Sequence, residues 1–259
     1  MKRFFSLLAA IVILSGISFA LAENSVRFEG DGYASPEEAI CAYADAMSRL
    51  DYTDMLSVFA LESYVENADP AKAFAAQRTI NFQLGFCDTI VVNDEYTYAL
   101  KLIKRVSAVT DRLYRQYLFF IGDEVKDVIG DTYIFIKEEA EGRYYADLFA
   151  EDGFAKIFRD CEIIELASPD QLTDKYSGDN VQEILENRRV IYGCEEVRSV
   201  AVWLRTPEEV YLLTADFGRY GDRWYMIDLG GILGSLLKIN QETGGISSYS
   251  ALRLFEYVE

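Results

Sequence analysis

The stretch VRSVAVWLRTPEEVYLLTADFGRYGDRWYMIDL, residues 197–229, contains three runs rich in β-branched and aromatic residues. Two short polar segments, TPEE and RYGD, separate the runs and contain the proline, glycine and aspartate typical of turns. Connections this short join antiparallel neighbours, because a parallel crossover needs about a dozen residues or more. The stretch therefore predicts an antiparallel meander of three strands.

The first third of the chain predicts helices. Ser35, Pro36 and Glu38 form the signature of a helix start, with an N-cap, a proline at the first helical position and a capping box. Apolar residues then recur every three or four positions, and Asp51 begins a second, shorter helix. A third helix is expected over residues 70–82 because this segment is rich in alanine and other helix formers.

The middle of the chain mixes strand and helix patterns. Residues 86–92 and 96–106 are rich in β-branched and aromatic residues, and Asn93-Asp94-Glu95 between them predicts a hairpin turn. The other predicted elements are a helix over 109–120, strands over 132–136 and 158–166, a helix over 179–193, a glycine-broken apolar segment over 230–240 and a helix over 252–257. Helices first and a meander last are typical of an α+β chain.

The first residues, MKRFFSLLAAIVILSGISFALAENS, have the features of a signal peptide. Lys2 and Arg3 precede a long apolar run, and Ala20-Leu21-Ala22 has the small–any–small pattern that signal peptidase accepts. We therefore predict a signal peptide over residues 1–22 and a mature protein that is secreted or at the exterior of the cell envelope. The alternative is a retained N-terminal membrane anchor.

The charge balance is strongly acidic, with 43 Asp and Glu against 25 Lys and Arg and a formal net charge of −18. Loss of Lys2 and Arg3 with the leader would change this charge to −20. Such a surface repels phosphate backbones, so no nucleic acid is expected as a partner, whereas cationic ligands are favoured. After the leader, no segment has the ~20 uninterrupted apolar residues of a membrane helix.

The chain contains no histidine. This absence rules out imidazole acid–base catalysis, the Ser-His-Asp and Cys-His arrangements, and the histidine-ligated iron sites. Its acidic loops lack the aspartate spacing of a calcium loop. No cofactor and no specific metal site is therefore predicted, and any catalysis would need carboxylates, tyrosines, lysines or a hard metal held by oxygens.

Four isolated cysteines, Cys41, Cys87, Cys161 and Cys194, remain after the leader. None forms a CxxC pair, which argues against a zinc ribbon and against a thioredoxin-type redox site. An even number in an exported chain permits two disulfides in any of three pairings. At least one disulfide is expected, and buried unpaired thiols are the alternative.

Two segments resemble the NTF2-like (SnoaL-like, cystatin-like) superfamily. SPEEAICAYADAMSRLDYTDMLSVF, residues 35–59, is similar to its first two helices, and GDRWYMIDL, residues 221–229, is similar to its last strand. ENRRVIYGC, residues 186–194, and the RYGDRWY turn also resemble segments of exported clostridial-type proteins of unassigned function.

The resemblance implies N-terminal helices packed on a curved antiparallel sheet, which together form a cone around an apolar pocket. The organisation it implies is a single domain over 23–259 with an inserted middle region around 107–195. Because the superfamily contains isomerases, dehydratases and many non-catalytic modules, it implies a fold more firmly than a function.

Isomerase-type members use an aspartate base beside a tyrosine or aspartic acid donor. On simple alternation Trp224 and Asp228 share one face of the last strand, so Asp228 would face the pocket if Trp224 points inward. Tyr43 on the first helix is then the candidate hydrogen-bond donor to Asp228. The alternative role for Asp228 is to cap the turn that follows the strand, and Asp216 is expected to be solvated.

Three functions remain open from the sequence. The favoured one is a non-catalytic exported module that binds a small apolar or cationic ligand, or a protein partner such as an envelope protein. Its candidate ligand residues are Tyr43, Met47, Trp203, Trp224 and Met226. The alternatives are a histidine-free, carboxylate-dependent enzyme of isomerase or hydrolase type in the same pocket, and a structural envelope protein that forms a homodimer.

Overall fold

Helices lie on both faces of an antiparallel sheet in the part of the chain that the computed structural model describes, residues 27–77, 90–120, 126–129, 133–136, 153–239 and 243–252. The helices are α1 Pro36–Ser48, α2 Tyr52–Ser57, α3 Glu62–Asn67, α4 Pro70–Gln77, α5 Glu95–Phe119, α6 Phe154–Phe158, α7 Pro169–Leu172, α8 Asp179–Tyr192, α9 Gly231–Leu236 and α10 Tyr249–Leu252. The strands are β1 Lys126–Ile129, β2 Tyr133–Ile136, β3 Glu162–Ala167, β4 Glu196–Arg205, β5 Val210–Tyr220, β6 Arg223–Leu229 and β7 Ile246–Ser248. A 3₁₀ turn covers Asp174–Ser177.

The predicted meander is confirmed, because β4, β5 and β6 are consecutive antiparallel neighbours. Strand β3 pairs with the outer side of β4, and β7 pairs with β5, so the sheet has five strands. Strands β1 and β2 form a separate antiparallel pair. Helices packed on an antiparallel sheet make this an α+β fold, consistent with the predicted NTF2-like cone.

The main core lies on one face of the sheet, beneath α1. Ser35 caps α1 as predicted, since its Oγ accepts the Glu38 N–H at 3.1 Å. The buried side of α1 then packs on β4 and β6. Fully buried members of the core include Ile40, Tyr43, Met47, Met55, Phe59, Leu113, Phe154, Phe158 and Phe217.

The predicted hairpin around residues 93–95 is wrong in the described part, because residues 95–119 form one helix, α5, of 25 residues. Asp94 starts this helix rather than a turn, since its carboxylate accepts the Thr97 N–H at 2.8 Å and the Thr97 hydroxyl accepts the Asp94 N–H. In YTYALKLI, residues 96–103, apolar and polar residues alternate with the period of a strand over only a few positions. Over the longer segment, Leu102, Val106, Val109 and Leu113 follow helical spacing and pack on the core.

A row of basic side chains on α5, formed by Lys101, Arg105 and Arg112, runs beside this apolar stripe. The spacing of four and seven residues places all three on one side of the helix. Lys101 is 1% exposed, and its ammonium donates to the carbonyls of Val65 at 3.2 Å and Ala68 at 2.7 Å. Lys101, the first residue of the basic row, therefore donates hydrogen bonds to carbonyls that have no partner within α3 at its C-terminus.

Arg105 continues the basic row at the edge of the sheet. Its Nε donates to the carbonyl of Ala60 at 3.0 Å, and its Nη2 donates to the carbonyl of Ile227 at 3.1 Å. Ala60 itself donates its N–H to the Met226 carbonyl at 2.9 Å, so the segment after α2 pairs with β6. One guanidinium thus joins α5, this segment and the outer edge of β6.

The second face of the sheet is covered by α8 and α9. Val181 and Leu185 of α8 form a buried cluster with Ile232 of α9. Helix α8 ends at the predicted Gly193, which has φ of 68°. A Cβ at Gly193 would lie 2.2 Å from the Asn67 carbonyl oxygen, so glycine also permits α8 to approach the end of α3.

Several smaller predictions were met in part. Helix α4 covers the described part of the predicted 70–82 helix, and β2, Tyr133–Ile136, covers the described part of the predicted 132–136 strand. The predicted strand over 158–166 begins later, at Glu162, because Phe154 and Phe158 are buried one turn apart on α6. Helix α10 ends the described chain at Leu252, whereas the predicted terminal helix extends outside the described residues. The predicted leader also lies outside them.

We expect Lys101→Met to lower the free energy of unfolding by about 1–3 kcal/mol, because the buried Val65 carbonyl and the half-buried Ala68 carbonyl would lose their donor. Urea denaturation measures this change. The matched control is Lys156→Met on α6, where the lysine is exposed and the expected change stays within about 0.5 kcal/mol. Equal effects of the two substitutions would contradict the role given to the basic row.

Candidate functional site

Asp216 and Asp228 lie opposite each other on β5 and β6. The next pair along the strands is Phe217 with Met226, so Ile227 is an extra residue that forms a β-bulge. Two like charges at paired positions destabilise a sheet unless a cation lies between them. This aspartate pair is therefore the first candidate site.

The β-bulge reverses the predicted orientation of Asp228. Met226 and Leu229 both lie in the main core with Trp224, although simple alternation would separate Leu229 from the other two. Asp228 consequently lies on the second face of the sheet, with Ile227. The prediction that Asp228 shares the face of Trp224 was wrong, because the sequence carries no visible sign of the extra residue.

Arg188 of α8 bridges the two carboxylates. Its Nη1 lies 2.8 Å from Oδ2 of Asp216 and 2.8 Å from Oδ2 of Asp228. The Ser199 hydroxyl donates to Oδ1 of Asp216 at 2.6 Å. Asp216 is 0% exposed, so the prediction of a solvated Asp216 was wrong: α8 and α9 cover the face that the sequence suggested was open.

Asp216 also caps α9. The Ile232 N–H lies 3.2 and 3.1 Å from the two carboxylate oxygens of Asp216. Gly231, with φ of 56°, permits this approach, since a Cβ there would lie 2.2 Å from Oδ1 of Asp216. The carboxylate thus satisfies a backbone donor in the first turn of a buried helix.

Arg112, the last member of the basic row, contacts Oδ1 of Asp228. Three of the four oxygens of the two aspartates accept hydrogen bonds, whereas Oδ1 of Asp228 is buried and accepts none among the described residues. Burial raises the pKa of Asp216, and this effect exceeds the opposing effects of Arg188, Ser199 and the Ile232 N–H. Burial would also raise the pKa of Tyr192, but the guanidiniums of Arg105, Arg188 and Arg112 outweigh burial and lower the pKa of this phenol.

The arrangement of this aspartate–arginine network suits a structural role. A general base needs an oxygen within reach of a substrate proton, whereas both carboxylates here are buried, and Oδ1 of Asp228, which accepts no hydrogen bond, lies against Arg112. The network joins β5 and β6 to α8 through Arg188 and to α5 through Arg112. Its chemistry is that of a buried clamp between helices and sheet.

The other predicted site residues are distributed over both faces of the sheet. Tyr43, Met47, Trp224 and Met226 lie together in the main core, each at most 5% exposed. Trp203 lies on the second face, with its ring 5.9 Å from that of Tyr249. The structure therefore brings together four of the five predicted ligand residues, inside a packed cluster.

Tyr43 is not a partner of Asp228. Its hydroxyl donates to Oε1 of Gln116 on α5 at 3.0 Å, and the side chain is fully buried. Burial raises the pKa of Tyr43 well above its ordinary value, so the phenol remains protonated. The predicted donor and the predicted base lie on opposite faces of the sheet.

A second candidate site is a cavity of about 260 Å³ beside α3 and α5. We call it the acidic pocket; its lining residues are Arg27, Glu29, Glu62, Ser63, Glu66, Tyr98 and Leu102. Three carboxylates against one guanidinium give this lining a formal charge of −2. Such a lining favours a positively charged group.

Two glutamates build the inner wall of the acidic pocket. Oε2 of Glu29 accepts the N–H groups of Leu61 at 2.6 Å and Ser63 at 2.9 Å, so it caps α3 from a distant part of the chain. In the opposite direction, the carboxylate of Glu62 on α3 accepts hydrogen bonds from the N–H groups of Phe28 and Glu29. These hydrogen bonds hold the segment that follows the predicted leader against α3.

Burial dominates the electrostatics of the acidic pocket. It raises the pKa of Glu29, despite the opposing hydrogen bonds from Ser63 and Leu61. It also raises the pKa of Tyr98 to about 12, helped by the charges of Glu66 and Glu62. Tyr98 is therefore a neutral hydroxyl at physiological pH, and its OH lies 3.4 Å from Oε1 of Glu66. Ionisation of this phenol would require a far more alkaline medium.

Sequence reasoning missed most of the residues that form these two sites. Arg188 carried a signal, since it occupies a position in the apolar pattern of α8 and so indicated a buried cation. Asp216, within the apolar run VYLLTADF, carried a matching signal. Glu29 carried none, because its partners on α3 are more than 30 residues away.

Among the described residues, no group of acidic or cysteine side chains has the arrangement of a metal site, and no helix is both long and apolar enough to span a membrane. Cys41, Cys161 and Cys194 are free thiols, whereas Cys87 lies outside the described residues. The expected disulfide is thus not found among the described cysteines. Burial raises the pKa of Cys161 to about 11 and that of Cys194 to about 12, which makes both thiols poor nucleophiles.

No protein-family model matches the chain, and none of the curated proteins matches it. A solved structure that does match is that of a cystatin-like protein from Ruminococcus gnavus ATCC 29149, with 16% identity and a TM-score of 0.43. The match covers 73% of this chain and 38% of that one, so this chain spans well under half of that protein. The likeness concerns the fold at most, and the α+β architecture rests on the strand order and register of this chain.

We expect Arg188→Met to lower the free energy of unfolding by about 3 kcal/mol or more at neutral pH, because two paired carboxylates lose the cation between them. The loss should shrink in acid. Burial already raises the pKa of Asp216, and removal of Arg188 raises it further, so the folded variant binds a proton that the unfolded chain releases near 3.8. The deficit is thus complete above the raised pKa and declines as the pH falls through it.

Chemical denaturation of wild type and variant across this pH range measures the effect. Arg189→Met is the control, since the neighbouring arginine on α8 pairs at the surface with Glu186 and should change stability by less than about 1 kcal/mol. A deficit for Arg188→Met that is small, or that grows in acid, would contradict the clamp.

Proposed function

We propose that the protein is a non-catalytic, extracytoplasmic binding module that holds a cationic group in the acidic pocket. The observation that carries this proposal is the cavity of about 260 Å³ lined by three glutamates, one arginine and one tyrosine. The cationic group belongs to a small amine or guanidine, or to a lysine or arginine side chain of a partner protein.

The size of the acidic pocket supports a small guest. Drug-sized ligands occupy pockets of roughly 300–1,000 Å³, so a cavity of about 260 Å³ suits one side chain or a short amine. Leu102 contributes an apolar wall for the stem of such a guest, and Tyr98 and Ser63 contribute polar groups. The charged end of the guest would then lie among the carboxylates.

The strongly acidic chain supports the same choice of ligand. A formal net charge of −18 attracts cations from a distance, and a partly enclosed acidic wall concentrates that attraction. The alternatives have weaker support. Four of the five predicted ligand residues lie buried in the main core, and Asp228, the candidate base of the enzyme alternative, contacts Arg188 and Arg112.

We expect agmatine, a butylamine that carries a guanidinium group, to bind the wild-type protein at one site in isothermal titration calorimetry. Glu66→Gln should weaken this binding about fivefold to tenfold, because it removes one unit charge within a few ångströms of the guest. Glu66 is suitable because it is exposed and does not cap α3. Higher salt should weaken binding to the wild type as well.

Two controls make the titration specific. Glu183→Gln removes an exposed glutamate of α8, far along the chain from the acidic pocket, and should leave agmatine binding unchanged. Butylurea, a neutral analogue of similar shape, should not bind. Lack of agmatine binding, or equal weakening by both glutamate substitutions, would contradict the proposed function.

A further inference from the structure

Arg27 is the sole basic residue among the described residues that line the acidic pocket. Its guanidinium is held at the mouth by local contacts, with Nη2 donating to the Gly30 carbonyl at 3.1 Å and Nη1 lying 3.5 Å from Oδ1 of Asp31. The same Nη2 lies 4.0 Å from Oε1 of Glu29. A cationic group that belongs to the chain itself is therefore already placed beside the pocket carboxylates.

The environment of Arg27 shows that this cation is not fixed in the protein interior. The side chain of Arg27 is 55% exposed, whereas that of Glu29 is 1% exposed. Glu29 cannot move without loss of its hydrogen bonds to Leu61 and Ser63, but Arg27 can turn into solvent at little cost. The Glu29 carboxylate is therefore fixed in place, and Arg27 is the movable partner.

We propose that Arg27 is a built-in competitor for the acidic pocket and that the external ligand is a guanidinium-bearing molecule or side chain that displaces it. The proposal rests on the proposed function, because it concerns the occupancy of the same cavity. A planar guanidinium has the fork geometry that pairs with carboxylates, so a guest of the same chemistry as Arg27 can replace its contacts. Because Arg27 competes for the acidic pocket, the affinity of the pocket for the external ligand is lower than it would be without Arg27.

The test is the affinity of Arg27→Gln and Arg27→Lys for agmatine in isothermal titration calorimetry. Arg27→Gln should bind agmatine about threefold to tenfold more tightly than wild type, because a repelling charge leaves the pocket mouth. Arg27→Lys keeps the charge and should stay within about twofold of wild type. 1,4-Diaminobutane, which has the double positive charge of agmatine without the planar fork, should bind both wild type and Arg27→Gln more weakly than agmatine does.

The possible results separate this inference from the proposed function. Agmatine binding with the same affinity in wild type and Arg27→Gln would overturn the competitor role and leave the acidic pocket intact. Weaker binding in Arg27→Gln would also overturn it, since Arg27 would then support the ligand. No binding by either chain would remove the proposed function and this inference together. Circular dichroism of the variants checks that each remains folded.

Discussion

The basic row on α5 is the constraint on which the arrangement of helices around the sheet depends. Lys101 binds the last carbonyls of α3, Arg105 binds carbonyls of Ala60 and β6, and Arg112 contacts Asp228. The contacts of Lys101 and Arg105 satisfy carbonyl acceptors at a helix end and at the edge of the sheet. Since unsatisfied buried acceptors are costly, these contacts fix where α5 lies along the edge of β6.

The two candidate sites are linked through this arrangement. Helix α3 is capped at its N-terminus by the carboxylate of Glu29 and at its C-terminus by the ammonium of Lys101, so charges from two distant segments complement its dipole. The first of these contacts forms a wall of the acidic pocket. The aspartate–arginine network contacts the same helix, α5, at Arg112, more than two turns beyond the pocket residues Tyr98 and Leu102.

The sequence predicted elements whose signals are local. The meander, the Ser35 cap and the Gly193 end of α8 follow from turn and cap chemistry within a few residues, and all three are found. The prediction of a strand at the start of α5 was wrong, because the short alternating run there resembles a strand. Only the longer pattern of apolar residues along 95–119 shows helical spacing. The β-bulge at Ile227 and the charges around α3 depend on long-range partners, which one sequence does not display.

Backbone amide hydrogen exchange in wild type and Arg105→Leu tests the central claim most directly. If Arg105 holds α5 and the Ala60 segment to β6, the N–H groups of Ala60 and Met226, which join this segment to β6, should exchange at least about tenfold faster in the variant. Amides between β4 and β5 should keep their wild-type rates. Unchanged exchange at Ala60 and Met226, or a uniform increase across the whole sheet, would contradict the account.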